Sequence, residues 1–174
     1  MRLLLLGGIS SHNKEWIEEI EESLRDLFDS THIQYYDHWQ SGGNIDVEKE
    51  VDNLIKDLDP KEDYVVFAKS AGVIVTLKAM QERPFIPKAC IFVGSAIRFG
   101  RASGYPVDDW LKENKVRKLF IQQTGDNAIP FQELKLMLQG FNAQNYKMIE
   151  IPGNDHHYDD IKHLEGFIKE FLDK

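Results

Sequence analysis

Apolar residues in this chain fall into two alternating kinds of segment. Short continuous apolar runs predict strands covered on both faces, and longer stretches with apolar positions three and four apart predict the amphipathic helices that cover them. Six strands follow: Arg2–Leu6, Ile33–Tyr36, Asp63–Lys69, Ala89–Val93, Arg117–Gln123 and Tyr146–Ile151. Helices fit Asn13–Phe28, Asp46–Leu58, Ala71–Met80, Phe131–Gln139 and Asp159–Leu172. In the first of these, Trp16, Ile17, Ile20, Leu24, Leu27 and Phe28 form one face, while Glu15, Glu18, Glu19, Glu22 and Asp26 read as a solvated face. Strands alternating with helices predict an α/β protein, its parallel sheet wrapped on both sides. Gly94–Lys115, with Gly100, Gly104 and Pro106, reads as a long excursion after the fourth strand holding at most a short helix near Asp108–Glu113. Excursions of that length are often functional.

Composition narrows this picture. A chain of 174 residues, 42% of them hydrophobic, suits one domain spanning 1–174, with 94–115 as a small excursion from it. The net charge of −8 argues against a nucleic-acid partner, which calls for a basic surface to neutralise phosphates. That charge is uneven, because residues 61–118 carry more basic than acidic groups. A single cysteine, Cys90, excludes an internal disulfide, reads as inert core and points to a reducing, cytoplasmic compartment. The apolar run after Arg2 ends at Gly7 and Gly8, too soon for a signal peptide, and no run approaches the roughly 20 residues of a membrane span.

The chemistry concentrates where the third strand runs into Ala68-Lys69-Ser70-Ala71-Gly72 and an apolar helix begins at once. Small residues around Ser70 allow a sharp strand-to-helix turn that projects the hydroxyl clear of the sheet, beside the free N–H groups at the helix start. In isolation, Ser70 would read first as a helix N-cap. The small-x-Ser-x-Gly pattern resembles the nucleophile elbow of the α/β-hydrolases, with Ala68 where that family has glycine. Gly125-Asp126-Asn127-Ala128-Ile129-Pro130 resembles its Asp-x-x-x-Pro turn after the fifth strand, and Pro152-Gly153-Asn154-Asp155-His156-His157-Tyr158 resembles its Gly-x-x-His loop after the sixth. The three-residue offset from Gly153 fits His156 as the base, with the adjacent His157 as the alternative. The order Ser, Asp, His is the one this fold uses. At the start of the chain, Leu3–Gly8, Ile9, Ser10 and Trp16 resemble the family's first strand, His-Gly-x loop and following tryptophan, with Gly7 in place of the histidine.

The resemblance runs from Leu3 to Leu172 and is to the small, lid-poor serine hydrolases of the retinoblastoma-binding-protein-9 type. It implies a three-layer α/β/α sandwich with a six-stranded parallel sheet ordered 2-1-3-4-5-6. It also implies a triad of Ser70, Asp126 and His156, and an oxyanion hole formed by the backbone N–H groups of Ile9, with Ser10 as the alternative, and of Ala71. The activity implied is hydrolysis of a small-molecule ester through an acyl-enzyme, with thioester and amide as narrower options and no metal or organic cofactor. The alternative, from a different class, is a catalytically silent binding or scaffold protein that keeps the frame.

Ser10, His38 and Trp110 are candidates for substrate contact. Ser10 belongs to the first loop, and Asp37-His38-Trp39 follows the second strand at the sheet edge where such folds bind ligands, although edge packing explains it equally. Trp110 sits in the excursion with Phe99 and Tyr105, where it could line a pocket. Lys69, Arg98 and Arg101 would favour an anionic substrate or serve as solubilising surface. Asp155, His156, His157, Asp159 and Asp160 crowd one loop, but sequence neighbours rarely point at one ion, so no metal site is read there.

Overall fold

β1 (Arg2–Leu6) sets the architecture. Leu3 and Leu5 face one side and Leu4 and Leu6 the other, following the two-residue repeat of a strand, and all four are buried. The sheet must therefore be covered twice. The computed structural model describes residues 1–56 and 58–173. In it β1 lies between β2 (Ser30–Gln34) and β3 (Tyr64–Lys69). β4 (Ala89–Val93), β5 (Arg117–Gln123) and β6 (Tyr146–Ile151) follow, all parallel, in the order β2-β1-β3-β4-β5-β6.

The helices are α1 (Asn13–Leu24), α2 (His38–Ser41), α3 (Val47–Lys56), α4 (Ala71–Glu82), α5 (Ile97–Ala102), α6 (Val107–Glu113), α7 (Phe131–Gly140) and α8 (Ile161–Leu172). Ile17, Ile20 and Leu24 of α1 and Leu164, Ile168 and Phe171 of α8 cover the face of Leu3 and Leu5. Residues of α3, α4, α6 and α7 cover the face of Leu4 and Leu6. Each fully buried leucine or isoleucine contributes about 1.5–3 kcal/mol, so both faces hold the sheet rather than one. Cys90 lies within this core, and burial pushes the pKa of its thiol up to about 12.

Several boundaries differ from the sequence reading. β2 begins at Ser30 and ends at Gln34 instead of covering 33–36, because its register is imposed by β1, Arg2 opposite Ser30 through Leu6 opposite Gln34. As an edge strand it keeps polar, exposed positions that a search for apolar runs passes over. α1 gives way at Leu24 to a 3₁₀ turn over Arg25–Leu27. The helix expected over 46–58 is observed as Val47–Lys56, and Asp57 lies outside the described residues. The last helix starts after Asp160, whose carboxylate accepts the His163 N–H at 3.1 Å as a cap. The stretch between β4 and β5 holds two helices, α5 and α6, packed on α4, where its sequence predicts at most one short helix.

Because every strand is parallel, all carboxyl ends reach one rim of the sheet. Residues 7–12, Ser70, Gly94–Ser95, 124–130 and 152–160 all lie there, where open α/β sheets bind ligands. No helix among the described residues is long and apolar enough to cross a membrane.

Candidate active site

Ser70 follows β3 directly with φ 54° and ψ −117°, a left-handed backbone that a non-glycine residue adopts only under constraint. The constraints are visible. The Ser70 N–H donates to Val93 O at 3.0 Å, and its carbonyl accepts from Val73 N at 3.2 Å. A Cβ on Gly72 would stand 2.7 Å from Gly7 O and 2.8 Å from Leu6 O, so only glycine lets α4 start this close to β1. The Ser70 side chain is partly exposed and does not cap α4. The helix-cap reading of Ser70 is thereby excluded.

The loop after β1 is held from three sides. Trp39 Nε1 donates to Gly8 O at 3.0 Å, His38 Nε2 bonds Ile9 O at 2.8 Å, and Asn13 Nδ2 donates to Ser10 O at 2.8 Å. A Cβ on Gly7 would meet the Trp39 ring at 2.8 Å, which accounts for glycine at the position where the resembling family carries histidine. The Ile9 N–H and the N–H of Ala71, first residue of α4, have no carbonyl acceptor in the described turn and loop contacts. His38 therefore meets the loop backbone, and it stacks on Tyr36 with ring centroids 5.4 Å apart.

Asp126 and His156 come together across the ends of β5 and β6. His156 Nδ1 donates to Asp126 Oδ1 at 2.8 Å and Oδ2 at 2.9 Å, and the Ala128 N–H donates to Oδ1 at 2.8 Å. Tyr158 Oη donates to Oδ2 at 2.5 Å. Asp126 is fully buried, and burial pushes its carboxyl up, but the hydrogen bonds from His156, Tyr158 and Ala128 outweigh that and leave it below the ordinary carboxylate range. His156 itself takes a left-handed φ of 64°, while His157 is exposed and makes no contact with Asp126. Ser70 Oγ makes no hydrogen bond to the imidazole, a common looseness in ligand-free sites.

One residue absent from the sequence reading organises the histidine loop. Gln123, at the end of β5, accepts the His156 N–H on Oε1 at 3.0 Å and donates through Nε2 to Asp155 Oδ1 at 3.0 Å and to His157 O. Its own N–H donates to Tyr158 Oη at 3.1 Å. A Cβ on Gly153 would meet Gln123 Nε2 at 2.5 Å, so the glycine of the loop makes room for this amide. The only signal in the sequence is a polar pair, Gln122-Gln123, that closes the strand after its apolar centre Leu119-Phe120-Ile121 and is buried with it.

A cleft of about 510 Å³ opens beside His156, lined among others by Ser10, His12, Asn13, Trp16, Lys69 and Tyr158. Lys69 is buried there, its ammonium donating to Asn13 Oδ1 at 3.0 Å and lying 5.0 Å over Trp16. Burial lowers its pKa, against the pull of Asp126 and Asp159. Arg98 and Arg101 do not reach this cleft; each pairs with a carboxylate, Glu133 and Asp108. Trp110 is 4% exposed, packed in the core against Tyr105, and corrects the expectation of a substrate contact, because the excursion folds its aromatic side chains down onto α4. Among the described residues no group of three His, Cys, Asp or Glu side chains is placed to hold a metal ion.

No protein-family model matches the chain, and no curated protein matches it in sequence. Solved structures do match in shape. Est1E from Butyrivibrio proteoclasticus with ferulic acid bound is 17% identical with a TM-score of 0.75, over 99% of this chain and 90% of that one. The Pyrococcus furiosus esterase Pf2001 is 17% identical with a TM-score of 0.75, over 99% of this chain and 82% of that one. A single-residue variant of SOBER1 from Arabidopsis thaliana is 17% identical with a TM-score of 0.62, over 99% of this chain and 100% of that one. With the parallel sheet order, the serine on its strained strand-to-helix turn and these likenesses together, the chain has the α/β-hydrolase fold.

Proposed function

We propose that this chain is a serine hydrolase of small esters that works through an acyl-enzyme. The observation that carries the reading is the Asp126–His156 pair at 2.8 Å on the same sheet rim as the strained Ser70. In this reading Ser70 Oγ attacks the ester carbonyl and His156 Nε2 takes its proton. The imidazolium is held by Asp126, and His156 then returns the proton to the leaving alkoxide. Water repeats the sequence on the acyl-enzyme, releasing the acid. The N–H groups of Ile9 and Ala71 meet the oxyanion, each such donor being worth about 2.7–4 kcal/mol of barrier lowering. Neighbours of the same fold include proteins named as esterases, which fits this substrate class. Nothing in the sequence of steps calls for a cofactor, and the whole chain acts as one catalytic domain. The single buried Cys90 suits a reducing cytoplasm.

The test is turnover of a short-chain aryl ester and labelling by a fluorophosphonate. Ser70→Ala is expected to abolish both without unfolding the protein, and labelling that survives Ser70→Ala refutes the assignment. Ala68 and Gly7, which depart from the pattern of the resembling family, favour the second reading, a silent frame that binds without turnover. Failure of the wild type to react with the fluorophosphonate would count for it and against the hydrolase.

A further inference from the structure

Tyr158 lies two residues beyond His156 and is 2% exposed, its ring packed where a Cβ on Gly94 would touch it at 2.7 Å. Its hydroxyl donates to Asp126 Oδ2 at 2.5 Å and accepts the Gln123 N–H at 3.1 Å, so the direction of the O–H bond is fixed. Its carbonyl accepts from Trp16 Nε1 at 3.0 Å, which anchors the loop to α1. Both Asp126 oxygens face His156 Nδ1, but only Oδ2 is shared with a phenol.

We propose that Tyr158 is a positioning residue of the relay, a conclusion that rests on the hydrolase reading above. Its hydroxyl orients the Asp126 carboxylate towards His156 Nδ1 and takes up part of the negative charge on Oδ2. A phenol used only for packing would not need its oxygen aimed at the carboxylate. A buried tyrosine hydroxyl needs some partner, and here that partner is the acid of the relay. Removing this donor leaves more charge facing the imidazole, so the protonated form of the ring gains and the active, neutral form is reached at higher pH. The other titratable groups lining the cleft with the ring are Lys69 from β3, His157 and Asp159 from its own loop, and His12, Glu15 and Glu19 from the chain around α1, while the Asp155 carboxylate is taken up by the Gln123 amide and the His157 N–H. Tyr158→Phe removes only the phenol oxygen, and with it the bond to Asp126 Oδ2 and the one accepted from the Gln123 N–H, of which only the first touches the carboxylate.

The experiment compares wild type with Tyr158→Phe in two ways. The acid limb of kcat/KM for an aryl ester is expected to move up by roughly half to one pH unit. The downfield Nδ1–H proton of His156, assigned by its loss in His156→Gln, is expected to shift further downfield. An unmoved limb or an unmoved Nδ1–H resonance overturns the proposal, even where kcat or thermal stability falls, since lost packing would account for those. The proton resonance needs no turnover, so it also decides the matter if the wild type proves inert to fluorophosphonate and the hydrolase reading fails.

Discussion

The strained backbone at Ser70 makes a prediction that separates stability from catalysis. A side chain at φ 54° and ψ −117° costs about 1–3 kcal/mol, held in place by the surrounding turn. Ser70→Gly removes the Cβ and with it that cost, while adding roughly 0.5–1 kcal/mol of unfolded-chain entropy. The net expectation is a gain of about 0.5–2 kcal/mol. Ser70→Ala keeps the Cβ and therefore the strain, and loses no capping bond because the hydroxyl caps nothing, so it should match wild type to within about 0.5 kcal/mol. Both variants should be inactive. Urea unfolding monitored by circular dichroism, with equal slopes in the three proteins, gives the free energies, and calorimetry gives a melting temperature that moves about 2–4 °C per kcal/mol in a domain of this size. A Ser70→Gly protein no more stable than Ser70→Ala would refute the claim that the turn stores strain at this residue.

Two further outcomes are expected. Gly72→Ala places a methyl group 2.7 Å from Gly7 O, an approach to backbone that side-chain movement cannot relieve, so unfolding in urea should show a loss of about 1–3 kcal/mol; an unchanged midpoint would show that α4 can back away from β1. Asp126 has its carboxyl held below the ordinary range in the folded chain, so its contribution is present above the unfolded value of about 3.9 and is lost as pH falls through the folded value. Stability measured across an acid series should therefore fall less steeply in Asp126→Asn than in wild type, and parallel slopes would contradict this.

The strands most open to sequence reading are those with an apolar run of their own. Ala89–Val93 is a continuous buried apolar run, Arg117–Gln123 has a buried apolar centre in Leu119-Phe120-Ile121, and the observed limits of both coincide with the predicted ones. β2 is displaced because an edge strand carries Ser30 and His32 outward and takes its limits from β1 rather than from its own pattern. α2 and α5 escape for a similar reason: each is under two turns and exists through tertiary contact, α2 by seating Trp39 under Gly8 and α5 by packing on α4. Ser70, Asp126 and His156 are legible because each stands in a local pattern at a strand end. Gln123, Asn13 and Tyr158 are not, since what they do depends on partners as far as 142 residues away in the chain. Trp110 is misplaced by the same blindness, an aromatic residue in an excursion giving no sign of which way it will turn.

Gln123 grips its loop largely through main-chain atoms, the amide of His156 and the carbonyl of His157. Such a grip is indifferent to most of the letters written on the loop. Asn154 and His157 are exposed and can be exchanged for other side chains while the imidazole stays in register. If the proposed hydrolase function holds, the rim beside His156 is thus a ready place for directed evolution to retune substrate choice without moving the proposed triad.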